Sequence, residues 1–361
     1  MTEALFESSV PVFQVDDTVK GELARDLLRL EVDETTSGLK TLSARLLGHG
    51  PRQGAEQEVQ LYLDGAFLDF GKKLKVALGP AGDQRTVFEG FISALESCYR
   101  EGEGPEVTVF AEDRLMRLRM TRRMKSYTNV SDADIVQAVA SEHGMQAETD
   151  ADGPTYDVVQ QWNLSDLAFL RERARLIQAE IWFQDDKIYF MTRNKRTATE
   201  LTLVRGNELI EVEARADLAH QRTKVKFSGY DAKERDRIEE EAGSDAIDAE
   251  ISGGRTGPSV LEQAFGERVS FRVREAPLVD GEARAWAHAE MLRRARAFVT
   301  VVGITRGSPD MVVGSTLTLQ RVGHPFDGGG YYVTRVLHTY DLVYGHRMRF
   351  VAERPTVQEG A

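Results

Sequence analysis

The sequence predicts a mixed, β-rich α+β fold: two small antiparallel sheets or barrels, a small αβ domain between them, and a helical, acidic insertion. Two distant stretches, 71–114 and 314–354, repeat the same order of alternating strands and Gly-rich turns. Between residues 127 and 190 the pattern changes to apolar helical stripes followed by short strands. Residues 231–250 carry nine acids and three bases. The repeat indicates that one structural unit occurs twice in the chain.

Composition limits the class of protein. The 361 residues, 41% hydrophobic and 29% charged, are enough for two to four domains with real cores. A formal net charge of -12 argues against a nucleic-acid partner, which would need a surplus of Lys and Arg. The single Cys98 excludes an intramolecular disulfide and a cysteine-rich zinc site, and it fits synthesis in a reducing cytosol.

The N-terminus predicts no export signal. Residues 1–11 carry Glu3 and Glu7 where a secretory signal would be basic, and the longest apolar run, near 297–304, is far shorter than a membrane span. We therefore expect no signal peptide, transmembrane segment or membrane anchor.

The first β-domain is predicted over residues 1–125. Its strands precede and include the first copy of the repeat: Leu27–Val32, Thr41–Leu47, Val59–Leu63, 71–78, 86–94 and 107–114. The domain ends in a basic segment, Glu112 to Lys125, in which Met116, Met120 and Met124 recur every four residues, as on one face of a helix. This segment is either a joining helix with a solvated basic face or a docking surface for an acidic partner.

The small αβ domain is predicted over residues 126–195. Ser131 is a suitable N-cap with Asp134 three positions later, and Gly144 ends that helix. A second helix begins at Ser165, and two strands follow around the turn 184–186. His143 lies on an apolar face near a helix C-terminus, where we expect a structural role.

The second β-domain is predicted over 196–361, with an insertion at about 231–298. The acidic stretch 231–250 is interpreted as a solvated or mobile segment or as a partner-binding arm, and it lacks the spacing of a calcium loop. Asp280 is expected to cap a helix over 282–298. Four arginines of that helix are expected to face solvent or a neighbouring subunit: Arg284, Arg293, Arg294 and Arg296. The second copy of the repeat follows.

The sequence contains no recognised catalytic motif. Nucleophile-elbow, zinc-protease and phosphate-loop patterns are absent, and Gly102-Glu103-Gly104 lacks the third glycine of a dinucleotide site. Six histidines show no metal-ligand spacing: His49, His220, His288, His324, His338 and His346. By position alone His338 is the best catalytic candidate, and a structural hydrogen bond is the expected role. We therefore assign no catalytic, cofactor-binding or metal-binding residue and expect no enzymatic activity and no cofactor.

The segment Gln160–Ala174, followed by Ile181-Trp182-Phe183 and Ile188-Tyr189-Phe190, resembles the signature of the phage late control protein D family. These are the baseplate hub proteins of contractile phage tails, type VI secretion spikes and extracellular contractile injection systems. Segments in both repeats add to the resemblance: Phe88–Ile92, Ala111–Asp113, Gly330–Val333 and Val336–His338.

The resemblance implies a structural role. In that family the two barrels are similar to the tail-tube subunit, and three chains form a symmetry adaptor between a threefold spike and a sixfold inner tube. The implied partners are two further copies, the inner tube or a tube initiator, a separate spike protein and other baseplate components. The separate spike is expected because the chain ends at Ala361, without a spike region. The family signature also implies that four residues form the core of the αβ module: Phe169, Leu170, Trp182 and Phe183.

Two other readings stay open. The chain would be a tail-associated peptidoglycan hydrolase if a cleft held perturbed carboxylates, or a cell-wall-binding module if the αβ unit alone bound the wall. The resemblance implies synthesis in the cytoplasm and incorporation into a particle. It does not decide between a phage tail and an injection system.

Overall fold

The computed structural model describes residues 10–51, 58–80, 82–151, 153–196, 198–251, 253–272 and 277–358. These residues form 25 β-strands and six α-helices, so the predicted β-rich α+β class is confirmed. The predictions made for residues 1–9 lie outside the described residues.

The N-terminal third forms most of one half of a large sheet. Its elements are β1 (Val12–Val15), β2 (Thr18–Val19), α1 (Gly21–Arg25), β3 (Leu27–Thr35), β4 (Thr41–Leu47), β5 (His49–Gly50), β6 (Val59–Gln60), β7 (Lys73–Leu78), β8 (Arg85–Cys98), β9 (Glu106–Glu112) and α2 (Met116–Met120). Apolar side chains alternate with polar ones along β4, β7 and β9, and the apolar set is buried.

The middle of the chain contains two helices and three small strand pairings. Its elements are β10 (Arg122–Ser131), α3 (Asp132–Glu142), β11 (Gln146–Asp150), β12 (Thr155–Ser165), α4 (Asp166–Ile177), β13 (Ala179–Gln184) and β14 (Lys187–Thr192). Ser131 and Asp134 form the predicted capping box, and Ser165 caps α4 through the amide of Ala168. The β13–β14 turn uses positive φ at Asp185 and Asp186, as a two-residue hairpin requires.

The C-terminal part contains the second half of the sheet and the insertion. Its elements are β15 (Glu200–Val204), β16 (Leu209–Ala216), β17 (Lys224–Asp231), β18 (Asp236–Ala242), β19 (Arg255–Thr256), α5 (Gly257–Phe265), β20 (Val269–Arg272), α6 (Asp280–Arg296), β21 (Val299–Arg306), β22 (Thr316–Gln320), β23 (Gly328–Asp341), β24 (Gly345–Arg354) and β25 (Thr356–Val357). Helix α6 begins at Asp280, with Val279 as its N-cap; the prediction that Asp280 caps the helix was one residue off.

The duplicated pattern corresponds to a duplicated strand order. The first repeat runs β3-β4-β9-β8-β7-β1 across the sheet, and the second runs β16-β21-β24-β23-β22-β15. Each strand of one repeat has its counterpart at the same place in chain order in the other. The outermost pairs differ, because β1 is antiparallel to β7 whereas β15 is parallel to β22.

The two repeats belong to one 13-stranded sheet, joined where β23 pairs with β3. The pairings among the described residues follow an open path, so they support antiparallel sheets and do not show closed barrels. Each repeat has its own hydrophobic core. A third core is shared by the αβ module and the insertion, since Ile135 and Phe169 belong to the same cluster as Ile247 and Trp286.

Two sequence interpretations are corrected here. The methionine spacing does not mark one helix: α2 ends at Met120, and Met124 lies on β10, which pairs with β12. Met120 and Met124 are exposed, and Leu115 and Leu118 are buried in their place. Non-local strand pairing therefore overrides the four-residue spacing.

The acidic stretch is likewise an ordered part of the fold. Residues 236–242 form β18 against β17, and residues 244–250 form a 3₁₀ helix with Ile247 buried. Arg284 of α6 pairs with Glu240 at 2.7 Å, and Arg296 donates to Glu250 at 2.8 Å. Arg296 is buried and the Arg294 side chain is only 12% exposed, so of the four arginines predicted to face outward these two do not.

Candidate assembly interface

The junction between the repeats is an antiparallel pairing of β3 with the second half of β23. Arg335 lies opposite Thr35, and Asp341 lies opposite Arg29. Tyr340 comes from the second repeat but packs in the core of the first, where it is only 8% exposed. One strand pairing therefore buries apolar surface from both repeats.

A group of buried and half-buried charged and polar side chains lies next to this junction. We call it the junction cluster; it comprises Glu34, Lys40, Glu180, Arg193, Arg196, Tyr332 and Glu353. These side chains come from the first repeat, the αβ module with the segment that follows it, and the second repeat.

Arg196 is the centre of the junction cluster. Its guanidinium contacts Glu34 of β3 at 3.1 Å and Glu180 of β13 at 3.1 Å. The same guanidinium lies 4.2 Å from the ring of Trp182. The Arg196 side chain is only 5% exposed, so all three contacts lie away from water.

The remaining contacts extend the cluster to the second repeat. Tyr332 donates a hydrogen bond to Glu180 at 2.7 Å, and Arg193 contacts Glu353 at 2.5 Å. Burial alone would raise the pKa of Glu34, but Lys40 and Arg196 outweigh it and hold that pKa below its ordinary value. Burial and the neighbouring Glu180 raise the pKa of Tyr332. The cluster therefore stays ionised around Glu34, with Tyr332 as a neutral donor.

A second buried carboxylate organises the αβ module. Asp166, the first residue of α4, is fully buried. It accepts hydrogen bonds from Arg123 at 2.9 and 3.0 Å, from Gln161 at 2.8 Å and from His143 at 2.8 Å. His143 follows the last turn of α3, as predicted, and its ring is used in this contact. The basic segment thus contributes Arg123 to the interior of the fold.

The signature residues divide into two groups. Phe169 and Leu170 are buried in the core, as predicted. Phe183 is partly buried and packs against that core, whereas Trp182 is partly buried and is not part of it, which corrects the prediction for Trp182. Trp182 stacks on Tyr189 with ring centroids 4.9 Å apart, and its ring also contacts the Arg196 guanidinium.

The best catalytic candidate by position, His338, lies inside the sheet. It is 6% exposed, and its Nδ1 lies 3.1 Å from Nε2 of His346 on the adjacent strand β24. Burial, His346 and Lys40 lower the pKa of His338 well below its usual range, and burial lowers the pKa of His346 to about 4. Two neutral rings sharing one hydrogen bond are a structural pair.

This histidine pair predicts a loss of stability in acid. The unfolded chain binds protons at these histidines below about pH 6.5, while the folded chain does not until pH falls to about 4 at His346. The stability that the neutral histidine pair contributes is fully present above pH 6.5 and is lost as the pH falls from 6.5 to about 4. We expect His346 alone to cost about 3 kcal/mol of unfolding free energy by pH 4. Urea unfolding at a series of pH values measures the loss.

A pair of variants separates this effect from general acid unfolding. His346→Leu should flatten the pH dependence between pH 6.5 and 4, whatever it does to stability at neutral pH. His49→Gln changes an exposed histidine and should leave the slope unchanged. Equal slopes for the wild type and His346→Leu would contradict the prediction.

Cavities give little support to a catalytic cleft. One cavity, about 570 Å³, is lined by Arg306, Arg347, His346 and neighbours, with no carboxylate in its lining. A second, about 340 Å³, contains Glu180 and Glu353, and both contact Arg193. Within the described residues, no group of three or more His, Cys, Asp or Glu side chains is placed to bind a metal ion.

Two exposed apolar patches were not predicted. One is the β23–β24 turn, where Leu342, Val343 and Tyr344 are all at least 60% exposed. The other is the β10–β12 ribbon, where Met124 and Trp162 lie opposite each other and both face solvent. Exposed patches of this kind usually mark contact surfaces. In the described part of the chain, each helix is too short or too polar to cross a lipid bilayer.

Comparison with solved structures identifies the fold. The chain resembles a 43 kDa tail protein of prophage MuSo2 from Shewanella oneidensis, with a TM-score of 0.69 and 12% identity, covering 96% of this chain and 98% of that one. It also resembles a tail protein from Neisseria meningitidis, with a TM-score of 0.65 and 11% identity, covering 96% of each chain. A third similar structure, a type VI secretion component from Escherichia coli, is described as similar to bacteriophage T4 tail proteins; its TM-score is 0.59 at 14% identity, over 93% of this chain and 76% of that one.

The chain therefore has the fold of phage tail and type VI secretion proteins, in agreement with the predicted tail-hub-like architecture. Membership of the late control protein D family stays a prediction. No curated protein sequence matches this chain. A sequence model that covers most of the chain, residues 53–341, does match, and by that match the protein belongs to the Alg8 N-terminal domain family.

Proposed function

We propose that this protein is the structural hub of a contractile tail or injection particle. The observation that carries the proposal is the duplicated strand order within one chain. Three copies in a closed ring would present six similar repeats to a sixfold inner tube and keep threefold symmetry for a spike. Each repeat acts as one tube-like barrel unit once its neighbours complete it.

The proposed partners follow from that role. They are two further copies, an inner tube or tube-initiator protein, a separate spike protein and other baseplate components. The exposed patches at Leu342–Tyr344 and at Met124 with Trp162 are available for such contacts. We further propose that the chain performs no catalysis. His338 is hydrogen-bonded to His346, and the cavity carboxylates Glu180 and Glu353 are paired with Arg193.

The molar mass in solution tests the hub. By light scattering we expect roughly 121 kDa, three times the 40.4 kDa of one chain, and a further increase when a spike candidate is co-expressed. Negative-stain images should show threefold rings with six similar lobes. A stable monomer that ignores the spike candidate would contradict the proposal.

Activity on purified peptidoglycan provides the second test. The hub reading predicts neither release of soluble fragments nor sedimentation of the full chain with sacculi. Fragment release would replace the proposal with a tail-associated hydrolase, and sedimentation without release would replace it with a wall-binding module.

A further inference from the structure

Two stretches of strand edge that have no partner among the described strands are the counterparts of the two strands that join the repeats. Strand β24 occupies one edge of β23; on the other edge β22 pairs with residues 328–332 and β3 pairs with residues 335–341. Strand β8 is built the same way: residues 85–91 pair with β7, but among the described strands none occupies that edge along residues 94–98. Strand β16, the counterpart of β3, pairs with β21, and apart from an isolated bridge between Leu209 and Arg205 it has no other strand partner in the described part of the sheet.

Matching bulges align the two repeats residue by residue. Strand β8 has a bulge at Ser93, and β23 has one at Thr334. Each bulged hydroxyl donates to a carbonyl of the next strand, Ser93 to Phe110 at 3.5 Å and Thr334 to Val351 at 3.3 Å. Strands β3 and β16 also bulge at one position each, Leu28 and Ile210. The register of β3 on β23 can therefore be transferred to β16 and β8 without an adjustable shift.

We propose that β16 of one copy pairs antiparallel with residues 94–100 of the next copy, in the register that β3 and β23 have within the chain. The inference rests on the proposed hub, because it names the surfaces through which the copies meet. It is a head-to-tail contact between two different edges, which generates a ring when the rotation closes.

The transferred register places opposite charges across the contact. Leu337 lies opposite Asp33, so Glu96 meets Arg215 of the next copy; Asp341 lies opposite Arg29, so Arg100 meets Glu211. In the observed junction an acid of β23, Asp341, lies opposite a base of β3, Arg29; in the proposed contact the base is Arg100 and the acid is Glu211. Glu96, Glu211 and Arg215 are exposed and form no ion pair among the described residues. Arg100 contacts only its exposed neighbour Glu103 and the nearby Glu106.

Burial points to the same contact. Tyr340 is buried in the junction, whereas its counterpart Tyr99 is 66% exposed. The transferred register places Tyr99 opposite Val212 of the next copy, where its ring would gain the cover that Tyr340 has. An unpaired, exposed strand edge is also a template for aggregation, and a defined partner removes that hazard.

The single native cysteine gives a direct test. Thr339 lies opposite Glu31, so Cys98 meets Glu213 of the next copy. Directly opposed residues in an antiparallel pair lie about 4.5–5.5 Å apart at Cα, within reach of a disulfide. Full-length Glu213→Cys, oxidised with diamide, should run on a non-reducing gel as a ladder that ends at three chains and collapses on reduction.

Matched variants exclude random collision. Val212→Cys moves the new thiol to the other face of the strand and should give no ladder. Cys98→Ser with Glu213→Cys, and the wild type, should also give none. A ladder for Val212→Cys equal to that for Glu213→Cys would overturn the register.

A charge exchange tests the same contact without cysteine chemistry. Glu96→Arg should weaken assembly on the order of tenfold, because it places two arginines opposite each other. Adding Arg215→Glu should restore it. If light scattering shows a trimer, but Glu213→Cys does not crosslink and the charge exchange has no effect, this contact is wrong and the proposed hub stands. If the protein is a monomer and does not crosslink, both the contact and the proposed hub are wrong.

Discussion

Replacing Arg196 with methionine is expected to lower the free energy of unfolding by about 3–5 kcal/mol. Methionine keeps much of the apolar stem of the side chain and removes only the guanidinium. The change would remove the cation that Glu34 and Glu180 share and leave only Lys40 beside Glu34 and Arg193 beside Glu180. The loss of a counter-charge beside a desolvated carboxylate is the costly part of a broken buried ion pair, and here two carboxylates lose one at once. Urea unfolding monitored by tryptophan fluorescence would measure the loss.

Arg335→Met is the matched control for this prediction. Arg335 also links β23 to β3, through Asp33 at 2.7 Å, but its side chain is 50% exposed. An exposed pair of this kind contributes about 0–1 kcal/mol. Arg196→Lys should fall between the two, because lysine keeps the charge but cannot reach both carboxylates and stack on Trp182. If Arg196→Met cost no more than Arg335→Met, the junction cluster would not hold the three parts together.

The prediction bears on assembly as well as on stability. The junction cluster fixes how the first repeat, the αβ module and the second repeat sit together, and a symmetry adaptor needs its two repeats in a constant relation. We therefore expect Arg196→Met to broaden or weaken the proposed ring even at temperatures where the chain stays folded. Arg335→Met should not.

Local features were predictable because their causes are local. Residues 41–47 alternate in polarity and form β4 over that range, and Ser131 with Asp134 supplies a capping box whose two partners are three residues apart. The duplication was visible because both copies place turn residues at the same points between alternating strands. In each case the signal that was used is a pattern within one short segment of chain.

The junction could not be predicted in the same way. Strand β23 pairs with β3 across about three hundred residues of sequence. The alternation of polar and apolar residues in each strand does not indicate which strand is its partner. Arg196 finds Glu34 at a separation of 162 residues. The same limit explains the error at Met124, which was assigned to a helix because β10's partner β12 lies beyond α3. It also explains why the acidic stretch, whose side chains are mostly exposed as predicted, was not assigned to ordered elements: Arg284 and Arg296 lie on a helix that follows it.

The family signature is a special case, because the reason for its polar residues became clear only in three dimensions. In the segment Gln160–Ala174, the apolar positions are readily assigned to a core, but Gln161 and Asp166 are buried too. They lie there because they bond to each other at 2.8 Å and to residues of two other elements. A buried polar group is tolerated when it is hydrogen-bonded.

Asp166→Ala is the second change with a large expected effect, a loss of about 3–5 kcal/mol in unfolding free energy. It removes the acceptor for Arg123, His143 and Gln161 at once. Gln161 is fully buried and would lose a partner that water cannot replace. The change also removes an acidic residue from the first turn of α4, where a negative charge is favoured.

Glu142→Ala is the control, since Glu142 contacts the same Arg123 at 2.9 Å from a position about one-third exposed. It should cost less than about 1 kcal/mol. Asp166→Asn should be intermediate, because the amide keeps one oxygen for Gln161 or His143 but turns a donor toward Arg123. Urea unfolding of the three variants, with both the midpoint and the slope m determined, gives their free energies of unfolding and so tests this order.

The outcome decides what the signature is for. If Asp166→Ala destabilises the chain as expected while the trimer still forms at low temperature, the signature is a folding element that joins α3, α4 and the β10–β12 ribbon. If the variant were as stable as Glu142→Ala but no longer assembled, the polar residues would serve a partner instead. Burial of Asp166 behind three of this chain's own donors favours the first result.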